Sequence, residues 1–242
     1  MDHLPIILFD FDGVILTQKA LEYAALIHLR RDYGWQNTEN MRLIDFAKIF
    51  ELSDTEKWLK SLTNIHHAYK RYIPKRWKRI LYFTRFNRDF QKYEKIYESL
   101  KPNLEGVLNK LKNNNFPLGI VSNTAGRRLN YFKKKLNLEQ YFTVFISRDD
   151  YRFNKPHPYP IIMALKLIKD KFNFPRIDKQ NVYFIGDLPT DIQCGRAANV
   201  NTIALLSGHG TKLELRKSNP TFMLNDHNEL LEIEPFKKLL LK

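Results

Sequence analysis

Asp10 and Asp12 stand on either side of Phe11, directly after the apolar run Ile6 to Phe9 and directly before Gly13. In an extended chain residues i and i+2 project to the same side, and glycine lets the backbone turn sharply away. Two carboxylates so close are unfavourable unless a cation or a shared proton accommodates them. The pair therefore suggests a Mg2+ site, an acid/base couple, or both. Asp and Gly are also common turn formers, so a plain surface turn stays open for this stretch taken alone. Further on, Leu118-Gly119-Ile120-Val121 runs into Ser122-Asn123-Thr124. A hydroxyl and the N–H groups of a helix start could hold phosphate oxygens there, or the residues simply cap the helix. In Asn154-Lys155-Pro156-His157-Pro158 the proline confines Lys155 to an extended backbone, which suits a fixed cation. A loop lysine is otherwise usually solvated. Val182 to Ile185 leads into Gly186-Asp187-Leu188-Pro189-Thr190-Asp191. Two carboxylates four residues apart, at a strand end and a helix start, make a metal constellation, although Asp191 alone would be an ordinary first-turn residue.

The elements that must position these groups follow from periodicity. Ile6 to Phe9 is the short, near-continuous apolar run of a strand buried on both faces. From 103 onward helices over 104–114, 125–136, 159–172, 191–198 and 228–241 alternate with strands over 118–121, 144–146, 182–185 and 202–206. Such alternation implies parallel βαβ units and a doubly wound, Rossmann-like α/β sheet. Between them lies a stretch without β–α rhythm. Helices are expected over 17–33 with Thr17 as N-cap and Gly34 as stop, over 41–52, and over 54–65. Residues 66–95 carry ten Lys/Arg against two acids, interleaved with aromatics. The expected organisation is an α/β core from 1–16 and 101–242, with an all-helical insert over 17–100.

Composition narrows the class. A hydrophobic fraction of 43% with 9 Gly and 11 Pro argues against disorder. No apolar run approaches the roughly 18 residues of a membrane span, and Ile6 to Phe9 is too short for a signal-peptide core. The single cysteine, Cys194, cannot form an internal disulfide, and there is no zinc-type Cys/His cluster. A soluble, cytoplasmic protein without membrane partners is expected. The net charge of +14 favours anionic partners, phosphorylated metabolites, nucleotides, nucleic acid or an acidic membrane surface, and charge alone does not choose among these.

Taken in order, Asp10-x-Asp12-Gly13, Ser122, Lys155-Pro156 and Gly186-Asp187-x-x-x-Asp191 resemble the four signature motifs of the haloacid dehalogenase-like hydrolase superfamily. The resemblance covers nearly the whole chain. The insert is similar to the superfamily's C1 cap. Lys155-Pro156-His157-Pro158 and Asp191-Ile192-x-x-Gly195-Arg196-Ala197-Ala198 are similar to the phosphoglycolate phosphatase and β-phosphoglucomutase branch. Val14 stands where many phosphatases of the family have Thr, Thr17-Gln18 replaces the usual Asp-Ser at the cap entry, and Asn199 takes a frequent Gly position. The resemblance implies that Asp10 is the nucleophile and Asp12 the general acid and base, which requires Asp12 to hold a proton near neutrality. It implies a Mg2+ held by the Asp10 carboxylate, the Asp12 carbonyl and Asp187, with Asp191 holding a metal-bound water. Ser122 and Lys155 would grip the phosphoryl oxygens, with Asn123 beside them in the substrate site. The cap would close over the site.

An acid at position 12 separates phosphatase or phosphomutase chemistry from dehalogenation within the superfamily. A small-molecule phosphatase, acting on a phosphoglycolate-like phosphomonoester as a monomer or homodimer, is the leading expectation. A sugar phosphomutase would need a further cap-side acid/base. A nucleic-acid-binding protein or polynucleotide phosphatase, using the basic aromatic stretch 66–95, is the rival from another class.

Overall fold

The computed structural model describes residues 4–17, 20, 76–234 and 236–240. Two compact units divide the chain: Met1–Thr17 with Ser99–Lys242, and Gln18–Glu98. In the second unit α1 (Arg76–Tyr97) is described, and the amide of Ala20 donates to Glu98 Oε1 at 3.1 Å. The three helices expected over 17–33, 41–52 and 54–65 lie outside the described residues, except for Thr17 and Ala20. Thr17 is tied back to the first unit's own chain. Its N–H donates to the Ser99 carbonyl at 2.9 Å and its hydroxyl accepts from the Ser99 N–H at 3.2 Å.

The first unit is a doubly wound α/β fold. It runs β1 (Ile6–Phe9), α2 (Leu104–Asn113), β2 (Leu118–Val121), α3 (Gly126–Lys135), β3 (Val144–Ile146), α4 (Tyr159–Lys171), β4 (Val182–Gly186), α5 (Pro189–Ala197), β5 (Asn201–Leu205), α6 (Lys212–Lys217), β6 (Phe222–Leu224) and α7 (Phe236–Leu240). All strand pairs are parallel, in the order β3-β2-β1-β4-β5-β6. β1 is therefore central. The winding reverses between β1 and β4, so the crevice beyond their carboxyl ends is where such a sheet binds its ligand.

The apolar runs are continuous because both faces are covered. Ile7 and Phe9 of β1 enter one core with Leu104, Val107, Leu108 and Leu111 of α2 and with Leu129 and Phe132 of α3. Ile6 and Leu8 enter the other, with Ile161, Ala164, Leu165 and Ile168 of α4. The α2 set falls at i, i+3, i+4 and i+7, the spacing of one helical face.

The sequence expectations miss in identifiable places. The single terminal helix expected over 228–241 is instead a 3-10 turn, Asn228–Glu232, followed by α7. Pro235 explains the break, since proline lacks the amide hydrogen and disfavours helix at the residue before it. α5 begins two residues earlier than expected, with Pro189 in its first turn and the Asp191 carboxylate accepting from the Leu188 N–H at 3.0 Å. α6 and β6 were not expected, although Thr211 and Glu214 form a capping box at the start of α6. Asn199 adopts φ 59° after α5, the left-handed conformation that its place in a usual glycine position demands. Among the described residues, no helix is long and apolar enough to cross a membrane.

Candidate active site

Asp10 leaves β1 with its N–H still donating to Ile185 of β4 at 2.8 Å, which delivers its side chain at the carboxyl end of the sheet. There Lys155 meets it. The Lys155 ammonium lies 2.5 Å from Asp10 Oδ1, 2.6 Å from Asp191 Oδ1 and 3.3 Å from the Val121 carbonyl, and it sits 5.4 Å from the centroid of the Phe184 ring. All three charged side chains are buried. Asp187 joins them: one ligand atom from each of Asp10, Asp187 and Asp191 falls within a 4.8 Å group. Residues from three sequence motifs far apart in the chain are thus brought together.

The electrostatics of this cluster are lopsided. Burial pushes the Asp10 carboxyl well above the ordinary carboxylate value; Lys155 opposes the rise, and Asp191 and Asp187 add to it. Asp191 is raised in the same way, by burial first, against Lys155. Burial disfavours the Lys155 ammonium, but Asp10 and Asp191 outweigh it and hold the pKa well above that of a free lysine. Two of the three grouped carboxylates share the Lys155 ammonium in a buried site, an arrangement that a divalent cation would relieve.

Asp187 is held by a residue that the motifs did not reveal. The backbone N–H of His209 donates to Asp187 Oδ2 at 2.8 Å, and His209 Nδ1 lies 2.7 Å from the same oxygen. The imidazole would lose basicity on burial, but its hydrogen bond to Asp187 and the charges of Asp187 and Asp12 raise its pKa instead. Asp187 Oδ1 is buried without a hydrogen-bond partner among the described residues. A Cβ on Gly13 or on Gly208 would run into the Asp187 carboxylate, so two glycines keep a cradle open around it. A buried acceptor-only oxygen with no donor among the described residues, on a carboxylate grouped with two others, fits a hard cation such as Mg2+. A lone histidine between Gly208 and Gly210, just past β5, was the available signal.

Asp12 behaves differently from the expectation. Its carboxylate lies outside the Asp10, Asp187 and Asp191 group. Arg128 Nη1 donates to it, 2.7 Å from Oδ1 and 2.8 Å from Oδ2, and the Thr124 hydroxyl donates to Oδ2 at 2.5 Å. Burial would raise the Asp12 pKa, but the Arg128 charge and these hydrogen bonds hold it below the usual carboxylate value. The resemblance requires Asp12 to hold a proton near neutrality, whereas Arg128 on α3 favours its charged form. Nothing in the basic helix marked Arg128 in advance, because its partner lies 116 residues away in sequence.

Ser122 is buried at the end of β2, and its hydroxyl accepts from the Thr124 N–H at 3.1 Å. Asn123 turns to Lys155. Its Oδ1 accepts from the Lys155 N–H at 3.1 Å and its Nδ2 donates to the Lys155 carbonyl at 3.4 Å, while the Tyr151 hydroxyl lies 2.9 Å from Oδ1 and 2.8 Å from the Ser122 carbonyl. These contacts fix the backbone from which Lys155 reaches the acids. The Lys155–Pro156 peptide bond is cis.

The haloacid dehalogenase-like hydrolase family profile matches residues 7–205. The chain belongs to this family and is an enzyme, a phosphoric ester hydrolase. Pyrophosphatase PpaX of Bacillus thuringiensis (strain Al Hakam) is 24% identical over 237 residues, covering 94% of this chain and 94% of that protein. Among solved structures, a predicted phosphoglycolate phosphatase from Haemophilus somnus superposes with a TM-score of 0.68 at 19% identity, covering 96% of this chain and 98% of that one. A subfamily IA hydrolase of the superfamily from Geobacter sulfurreducens superposes with a TM-score of 0.67 at 16% identity, covering 95% of each chain. At these identities the structural likeness speaks for the fold.

Proposed function

We propose that the protein is a Mg2+-dependent phosphatase of small phosphorylated metabolites that works through an aspartyl-phosphate on Asp10. The observation that carries this reading is the buried group of Asp10, Asp187 and Asp191 around Lys155 at the switch point of the sheet. Asp10, Asp187 and Asp191, with the carbonyl of Asp12, would hold Mg2+, which when bound offsets the negative charge of the site and of the phosphoryl group.

The residues divide the chemistry. A carboxylate oxygen of Asp10 attacks phosphorus, and the bond from phosphorus to the leaving oxygen breaks with its electron pair on that oxygen. In its protonated form, which Arg128 disfavours, Asp12 gives the leaving oxygen a proton, and the carboxylate so formed takes one from the water whose oxygen attacks the phosphoryl-aspartate. The phosphorus–Asp10 bond breaks, releasing orthophosphate and restoring Asp10. Ser122 and Lys155 hold the phosphoryl oxygens, and Lys155 also offsets the charge on Asp10. Asn123 serves this site by fixing Lys155.

Phosphoglycolate-like monoesters and inorganic pyrophosphate are the first substrates to try. The second is favoured by a specific feature: Arg128 keeps Asp12 in its charged form, poised to accept a proton from water. A leaving group that is itself a weak base, such as orthophosphate, departs with less help from an acid. The test is phosphate release from both compounds with Mg2+ and after exhaustive chelation. Mg2+-dependent release is expected. Undiminished release after chelation contradicts the metal role, and no release from any phosphoric ester or anhydride contradicts the phosphatase reading.

A further inference from the structure

We infer that Arg128 selects for a leaving group that carries its own negative charge, either the phosphate of a phosphoanhydride or the carboxylate of a phosphorylated hydroxy acid. The inference rests on the phosphatase reading above and on the role of Asp12 within it.

The two cations of the site serve different carboxylates. Lys155 is committed to Asp10 and Asp191, on the side of the transferred phosphoryl group. Arg128 is committed to Asp12, with Nη1 within 2.8 Å of both carboxylate oxygens and 3.1 Å from the Thr124 hydroxyl. A leaving oxygen that exchanges a proton with Asp12 must come within hydrogen-bond reach of it. Whatever that oxygen is attached to then lies beside the guanidinium.

The cation is also held in place. Its centre lies 5.8 Å from the centroid of Phe11, the residue between the two aspartates, and 5.3 Å from that of Phe132, one turn along α3. The pair is not sealed in the core: the Arg128 and Asp12 side chains are 23% and 26% exposed, against 3% for Lys155. A braced, partly open guanidinium fits the oxygen pairs of phosphate and carboxylate, and it opposes the charge that grows on the leaving group as its bond to phosphorus breaks. A neutral alcohol would have no use for it.

The experiment compares inorganic pyrophosphate and phosphoglycolate, which have anionic leaving groups, with 2-hydroxyethyl phosphate, whose leaving group is neutral. In Arg128→Gln the ratio of kcat/KM for anionic over neutral substrates should fall about tenfold or more, and Arg128→Lys, which keeps the charge but not the fork, should recover part of it. The anionic substrate that loses more identifies phosphate or carboxylate as the group read. Melting curves check that the variants fold, and if Arg128→Gln does not, Arg128→Lys carries the comparison. An unchanged ratio, even with lower activity on every substrate, overturns the inference and makes Arg128 a positioning residue for Asp12. So does a parent enzyme that prefers 2-hydroxyethyl phosphate. Failure of the phosphatase reading looks different: the parent would release phosphate from none of the three.

Discussion

Lys155 holds two buried carboxylates at once, so its removal should be felt in stability as well as in activity. Breaking a buried ion pair by removing one partner typically costs about 3–5 kcal/mol, because the remaining charge is left uncompensated. Lys155→Met is expected to lose stability of that order in urea unfolding and to release no phosphate; parent-like stability would mean that the carboxylates protonate and relax without cost. His227 gives a prediction of the opposite kind. It is buried, and burial, aided by the Lys101 charge, pushes its pKa down to about 4. An unfolded histidine titrates near ~6.5, so between these values the unfolded chain binds a proton that the folded chain refuses. Stability should therefore rise with pH across this window, and protonation of the unfolded state draws it down below. The histidine's share is about 3 kcal/mol by the free energy of a pKa unit. His227→Leu should flatten the difference between urea midpoints at acid and neutral pH relative to the parent. An equal pH dependence in both proteins would contradict it.

At the scale of elements, the turn after β1 does as much as the strand. Gly13 sits at φ 77°, and a Cβ there would overlap Asp187 and crowd His209 Nδ1. Gly13→Ala should lower kcat/KM at least about tenfold while the circular dichroism of the sheet persists, since both the backbone and the Asp187 cradle are strained; parent-like kinetics would show that the turn adapts. What was legible in the sequence was what a parallel sheet dictates locally. Apolar runs mark buried strands, and polar residues directly after Phe9, Val121 and Gly186 are carried to one edge because parallel strands share their carboxyl ends. Arg128 and His209 were not legible, since each acts on an aspartate distant in sequence and looks locally like a basic helix residue and a loop histidine. The break before α7 is a different failure. There the apolar spacing continued, and a single proline overrode it.

For the whole molecule, the charge of +14 should act before chemistry does. Long-range attraction raises the capture rate of anionic substrates and is screened by salt. kcat/KM for phosphoglycolate or pyrophosphate should fall as ionic strength rises, while kcat at saturation changes little; a salt-independent kcat/KM would place these charges away from the path of the substrate. The metal reading has its own signature. Activity lost to chelator should return with Mg2+ and return poorly with Ca2+, which is larger and less strict in geometry. Both results would follow from several arrangements of the acids, whereas one substitution addresses the proposed nucleophile itself. The most direct measurement is phosphate release by Asp10→Asn at saturating substrate and Mg2+. An amide is neither the nucleophile nor a charged ligand, so this account predicts no release above background from a protein that still folds cooperatively. Turnover at the parent's rate would contradict it.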